Sequence, residues 1–393
     1  MTPKARGCLS RLSLILLGIA GVAGCNYEGV FFPMDVDVAA TDSEGNPTEL
    51  FITDLGDSLP CTSTQDSAIY RVDTSQSNYR ANLLWQFDKD EPFLNGAHNA
   101  DLNDSGNQMI ISDNCNDRVI VISYPDKALL WDSSVDCPEL GLDHPNDANF
   151  LGEGIGNGNL LITVRDLHWV IEVDPSQCNG VRDGEIVWSL GEEGVPRNLG
   201  DMTNPDHLRG PHNADKLPNG NLILSDAGSE IFGPSRIILV DYSTKEILWN
   251  FRARDDSGSS LYDCTVEGVP DKLCPAAEWC RDADMKCDNP ACRTGQVIIT
   301  GVHQTVAVLL DLDEPPPPGE SIPRGRTVVH KIEHGPGFCY DTDWIPKWAG
   351  DENGGLGFYL VGNHGPGDFG RFVTVAPVDA EDLSHVWLLK LLQ

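Results

Sequence analysis

The chain is short of cations. Its 393 residues carry 27 Lys and Arg against 60 Asp and Glu, for a formal net charge of −33. A surface that acidic repels a phosphate backbone, which excludes nucleic acid as a partner. Any other anionic ligand would need cationic groups concentrated locally. No tract masses the 39 Gly and 26 Pro, and with 40% hydrophobic residues this spread fits short strands joined by many turns, not disorder. The apolar run at residues 12–24 is too short to span a bilayer stably. Cys-x2-Cys spacing is missing too: Cys274, Cys280, Cys287 and Cys292 stand six, seven and five residues apart, which argues against a zinc knuckle.

Lys4, Arg6 and Arg11 precede that apolar run, which ends in Val22-Ala23-Gly24 before Cys25. A basic start, a short apolar stretch and small residues make a secretory signal. The junction resembles a bacterial lipoprotein processing site. That resemblance implies a signal peptide over 1–24, a lipid on Cys25 and a linker over 25–33, with the membrane reached through acyl chains alone. Asp after the cysteine is the usual inner-membrane retention signal in such lipoproteins, so Asn26 implies an outer-membrane address, facing the periplasm or the cell surface. The plainer alternative is an ordinary signal peptide with a fortuitous cysteine. Apart from Cys8 and Cys25, ten cysteines remain, an even number in an exported chain, and they predict disulfides. Cys287 with Cys292 and Cys264 with Cys274 are spaced as local loop clips, each worth on the order of 2–3 kcal/mol in the loop-closure picture. The other pairings stay open.

Leu84-Trp85, Leu130-Trp131, Val187-Trp188, Leu248-Trp249 and Val386-Trp387 recur at intervals of 46, 57, 61 and 138 residues. The last interval holds two units of 69, and Val328-Val329-His330 stands where the missing copy falls. The fourth of these six units reads as a first strand at His212-Asn213-Ala214-Asp215, an Asn219-Gly220 turn, and alternating strands at 222–226, 236–241 and 246–251. Four strands repeated six times leave apolar faces that only neighbours can cover. The prediction is an all-β, six-bladed β-propeller of four-stranded antiparallel blades over 34–393. A disulfide-rich insertion is expected at about 263–295, and an exposed polyproline loop at prolines 315–318. The units start near Met34, His98, Asn146, His212, Arg281 and Tyr340, each followed by Asn/Asp-Ala/Thr-Asp/Asn or a close variant. The Trp is read as closing the outer strand of its own blade.

First strands line a propeller's channel, so function is expected where they begin. The residues there include His98, Asn99, His144, Asn146, His212, Asn213, Arg281, Asp282, Tyr340 and Asp341. Loops on the same face supply Asp113, Arg165, Asp166, Asp226, His303 and His364. Three segments carry a further likeness: Ala97-His98-Asn99-Ala100-Asp101; His144-Pro145-Asn146 with Thr163-Val164-Arg165; and Pro211-His212-Asn213-Ala214-Asp215. Across about residues 80–255 these resemble the bacterial arylsulfate sulfotransferases, exported six-bladed propellers that transfer sulfuryl groups between phenols without a nucleotide donor. The family more often has Ser-Ser-Arg where Thr163-Val164-Arg165 stands here, and the cysteine-rich last third has no counterpart in it.

The resemblance implies His212 as nucleophile, Arg165 on the sulfuryl oxygens, and His98, His144 and Asn146 as further donors, with no cofactor and no resident metal. An aryl sulfate and a phenol are the implied small-molecule partners. The chemistry is coherent, since neutral imidazole can attack sulfur and form a sulfohistidine, while a planar guanidinium holds two oxygens. Each residue also has a plainer reading: His98 and His212 as turn caps, Arg165 paired to Asp166 or Asp226, and Asn146 holding a turn. Asp101, Asp215, Asp284 and Asp343 with Asn149 form a second repeating set, read as a structural motif or as a calcium or water site in the channel. The alternative function is a non-catalytic surface propeller binding a protein or glycan. A quinone-dependent dehydrogenase is disfavoured, because the Trp is read as not docking one blade on the next.

Overall fold

The apolar segments between Gly- and Asp-rich turns form strands that pair in chain order. The computed structural model describes residues 33–41, 43, 47–55, 61, 67–73, 82–87, 94–178, 185–197, 204, 206–227, 235–252, 282–301, 304–325, 327–333, 338–339, 341, 344–345, 357–363, 372–377 and 387–390. Blade 1 is β1 (Pro33–Thr41), β2 (Pro47–Asp54), β3 (Ala68–Asp73) and β4 (Asn82–Phe87). Blade 2 is β5 (Ala97–Leu102), β6 (Gln108–Asp113), β7 (Arg118–Ser123) and β8 (Leu129–Asp132). Blade 3 is β9 (Pro145–Gly152), β10 (Gly158–Val164), β11 (Trp169–Val173) and β12 (Ile186–Leu190). Blade 4 is β13 (Pro211–Lys216), β14 (Leu222–Asp226), β15 (Arg236–Val240) and β16 (Ile247–Arg252). Blade 5 is β17 (Asp282–Cys287), β18 (Thr294–Thr300), β19 (Gln304–Asp311) and β20 (Val328–Glu333). These five sheets are four-stranded antiparallel meanders.

The C-terminal sheet corrects the expected uniform count. It has five strands, β21 (Phe338–Cys339), β22 (Trp344–Ile345), β23 (Gly357–Asn363), β24 (Phe372–Pro377) and β25 (Trp387–Lys390), with β21 and β22 both pairing to β23. Two short strands thus stand where the other sheets have one first strand, so the pattern is five complete four-stranded blades and one sheet of different build.

Period-two alternation lets each sheet serve two cores. Ile111 of blade 2 packs with Phe51 and Ile69 of blade 1, whereas Ile110 packs with Ile162 and Ile171 of blade 3. Leu161 and Val170 continue into Leu224 and Ile238 of blade 4, and Ile237 and Leu239 into Val297 and Ile299 of blade 5. Covering both faces is why β7, β11, β14 and β15 are buried almost throughout.

The recurrent Trp falls on the outermost strand of each unit it marks, but its role needs correction. Trp85 donates its indole N–H to the Pro125 carbonyl of blade 2 at 2.9 Å, and Trp188 to the Tyr242 carbonyl of blade 4 at 2.8 Å. Trp188 stacks on Tyr242 at 4.3 Å between ring centroids, while Trp85 meets Tyr124 edge-on at 5.0 Å. These outer Trp residues therefore dock one blade on the next, and the argument against a quinone propeller that rested on their not doing so falls. Trp249 is instead sealed in the core against Gly325, where an added Cβ would stand 2.3 Å from its ring.

Disulfides join Cys61 to Cys115, Cys137 to Cys178, and Cys287 to Cys292. The last is the local clip expected in the β17–β18 turn, and the first two tie blade 1 to blade 2 and blade 2 to blade 3. Cys264, Cys274, Cys280, most of the 263–295 insertion and residues 1–32 with Cys25 lie outside the described residues. Pro315, Pro316 and Pro318 are exposed, as expected of the polyproline loop. Among the described residues no helix is long and apolar enough to cross a membrane.

Candidate functional site

One four-residue pattern builds the centre of the molecule. It reads Met34-Asp35-Val36-Asp37, His98-Asn99-Ala100-Asp101, Asn146-Asp147-Ala148-Asn149 and His212-Asn213-Ala214-Asp215 in blades 1 to 4. The first strand carries one extra residue against its partner at this point in all four blades: pairing skips Met34, His98 and Asn146, and slips across His212-Asn213. A β-bulge bends the strand and re-aims the extra side chain. The first position of the pattern thereby faces the channel.

The second position holds neighbouring blades together. Asp341 accepts the Val36 N–H at 3.0 Å, Asp35 the Ala100 N–H at 3.0 Å, Asn99 the Ala148 N–H at 3.3 Å, and Asp147 the Ala214 N–H at 3.1 Å. The first of these bonds joins the C-terminal sheet to blade 1. Residues at the third position, Val36, Ala100, Ala148, Ala214 and Ala283, are buried in the blade contacts. The fourth position adds a deeper layer of Asp and Asn.

A small open pocket lies at this level, and its walls include Asp35, His98, Asn146, Asp147, His212 and Asp282. His98 and His212 are 7% and 4% exposed, with ring centroids 6.1 Å apart. Asn146 Nδ2 lies 2.5 Å from His212 Nδ1, and Asn114 donates to Asn146 Oδ1 at 3.4 Å and to the Pro145 carbonyl at 3.0 Å. With the amide nitrogen on Nδ1, the neutral ring carries its proton on Nε2.

The pocket thus gathers His98, Asn146 and His212 of the five sequence-predicted site residues. His144 and Arg165 are not on its wall. His144 Nδ1 contacts Asp143 at 2.8 Å and Asp117 and Asp166 at 3.5 Å, and its Nε2 lies 3.7 Å from Cys61 Sγ. Donor atoms of Asp117, Asp143 and His144 lie within 4.8 Å of one another, a partly exposed trio. Arg165 pairs with Asp166 at 2.7 Å. Asp226 and Asp113 belong to buried ion networks: Asp226 bonds Arg197 and Arg236 at 2.9 and 2.8 Å, and Asp113 bonds Arg118 at 2.8 Å. Arg281, Tyr340, His303, His364 and Asp343 lie outside the described residues.

Sequence reasoning missed Asp35 and Asp147, because they look like turn residues until the bulge aligns them with the channel. It also missed Asn114, whose only signal is its place after the second strand. Burial pushes Asp101 up to about 6, and burial with the Asp101 charge pushes Asp215 up to about 7. Asp147 is held well above the carboxylate range, by burial first and then by the charges of Asp215, Asp101 and Asp35.

Fold and pocket define the class: this is a β-propeller with a polar pocket at the channel. No family model and no curated protein matches the chain. Among solved structures it is similar to hydrazine synthase of Kuenenia stuttgartiensis, at 10% identity over 92% of this chain and 80% of that one with a TM-score of 0.45. It is also similar to a putative 6-phosphogluconolactonase from Bacteroides uniformis, at 12% identity over 88% and 84% with a TM-score of 0.43. The Myceliophteria thermophila Cps50 (Swd1) β-propeller domain matches at 10% identity over 92% and 86% with a TM-score of 0.47. Likeness this distant carries no argument about activity.

Proposed function

We propose that the chain is an exported, lipid-anchored enzyme that transfers a sulfuryl group from an aryl sulfate to a phenol, with His212 carrying the group between them. What supports this is that His98, Asn146 and His212, brought from three successive blades, line one pocket, with Asn146 against the His212 ring. In the first step the Nε2 lone pair attacks sulfur, the bond to the aryl oxygen breaks, and His98 protonates the departing phenolate. In the second, the acceptor phenol loses its proton to His98, attacks sulfur, and the N–S bond breaks. Attack needs the proton on Nδ1, and therefore the Asn146 amide turned by half a turn so that Oδ1 accepts it in place of the long Asn114 bond, while Asn114 keeps its bond to the Pro145 carbonyl. Arg165 acts from the rim, leaving Asp166 for the sulfuryl oxygens as substrate arrives.

The test is single-turnover kinetics with a chromogenic aryl sulfate. Donor alone is expected to release one phenol per active site and to raise the intact mass by one sulfuryl group. His212→Asn is expected to abolish both burst and turnover; wild-type rates in that variant remove the nucleophile. For the anchor, Cys25→Ala is expected to move the protein from the membrane fraction to the soluble one.

A second reading, a non-catalytic propeller that binds a glycan, is favoured by a different observation. Among the described residues the pocket wall carries Asp35, Asp147, Asp282 and Asp341 and no Arg or Lys, a lining suited to sugar hydroxyls. It predicts glycan binding that survives His212→Asn.

A further inference from the structure

Below the two histidines, the second and fourth positions of the pattern bring oxygen atoms together from neighbouring blades. Asn149 Nδ2 of blade 3 donates to Asp147 Oδ2 of its own strand at 3.0 Å and reaches Asp215 Oδ1 of blade 4 at 3.4 Å. One amide nitrogen thus bridges two carboxylates of neighbouring blades. The second oxygens of that pair, Asp147 Oδ1 and Asp215 Oδ2, are buried without a hydrogen-bond partner, and so is Asn213 Oδ1. Asp147 is only 3% exposed and, with Asn213, lines the pocket. Asp215 is also bonded to Asn213 of its own strand and to Asp284 of blade 5. Two carboxylates that touch must share a proton or a cation, and the three orphaned oxygens on these linked residues leave acceptor capacity that no donor among the described residues fills.

We infer that this level of the channel binds one divalent cation of the calcium class, held by Asp147 of blade 3 and by Asn213 and Asp215 of blade 4. All three donors are oxygens. The imidazoles sit one position higher, and no thiolate is among the donors, so the set is hard and disfavours zinc or copper. Ligands from two blades, completed by water, suit calcium's large and adaptable shell better than the rigid octahedron of magnesium. The inference is independent of sulfuryl transfer and is read by binding alone.

The experiment is titration of the chelator-stripped full chain with calcium chloride, followed by calorimetry and by metal analysis after desalting. One Ca²⁺ per chain is expected, with a raised melting temperature, since a ligand bound only by the folded state stabilises it. Asp147→Asn and Asp215→Asn are each expected to weaken binding by at least about tenfold. Asp117→Asn, in the rim trio, is expected to leave it unchanged. If the carboxylate variants fail to fold, Asn213→Ala, which removes an amide oxygen without altering charge, is expected to show the same loss. Absence of binding up to millimolar calcium overturns the inference, as does binding that survives the channel variants or is abolished by Asp117→Asn.

Discussion

His212 illustrates how little of a residue's role lies in its type. Its ring is buried at 4% exposure, held by Asn146 and faced by His98, because bulges in three strands aim these side chains inward. Arg165 sits at the other extreme, a quarter exposed and paired to an Asp166 that is 43% exposed. An ion pair that open contributes at most about 1 kcal/mol. Arg165→Lys is therefore expected to leave the melting temperature within a degree or two while lowering turnover by roughly a hundredfold, because the planar fork is lost where charge develops. Unchanged turnover would leave Arg165 as a surface bridge.

At the scale of the element, the first strand of each blade does two tasks. Its bulge presents a pocket residue, and the following Asp or Asn caps a backbone N–H of the next blade. The approach to β13 depends on His168, in the turn after β10, whose Nδ1 accepts the Gly210 N–H at 3.1 Å two residues before His212. Burial, and then the Arg209 charge, lower the pKa of His168, against the weaker pull of Asp166 and Asp226. A lowered histidine pKa means that the unfolded chain takes up the proton first. Stability is thus full above about pH 6.5 and is lost as the pH falls below it. Melting temperatures measured from pH 8 to pH 5 should decline, and His168→Gln, which keeps an acceptor but does not titrate, should flatten the part of the decline due to this group. An equal decline in both proteins would place the acid sensitivity elsewhere.

Across the whole molecule, stability rests on contacts between blades. The Cys61–Cys115 and Cys137–Cys178 bonds span 54 and 41 residues and join adjacent blades. In the loop-closure picture each contributes about 4 kcal/mol by restricting the unfolded chain. Reduction is expected to lower the melting temperature substantially, and alkylation without reduction should leave all four of these cysteines unlabelled. Labelling of Cys61 or Cys137 in the folded protein would contradict the pairing.

Much of this was legible in the residues alone. Period-two alternation, Asn-Gly turns and the spaced Trp residues determined a propeller of repeated four-stranded units, because both faces of each sheet must be covered. The repeated Asp/Asn-Ala-Asp/Asn likewise placed the first strands and named His98, Asn146 and His212. What the sequence could not show is where the extra residue of each bulge points, since a shift of one position turns a side chain to the opposite face. Only the tertiary structure drew His144 and Arg165 into carboxylate contacts off the pocket wall and linked Asp147 to Asp215 through Asn149 across two blades. It also turned Trp85 and Trp188 onto their neighbours. Those arrangements depend on how one blade meets the next, and local sequence pattern carries no information about that meeting until the ring of blades exists.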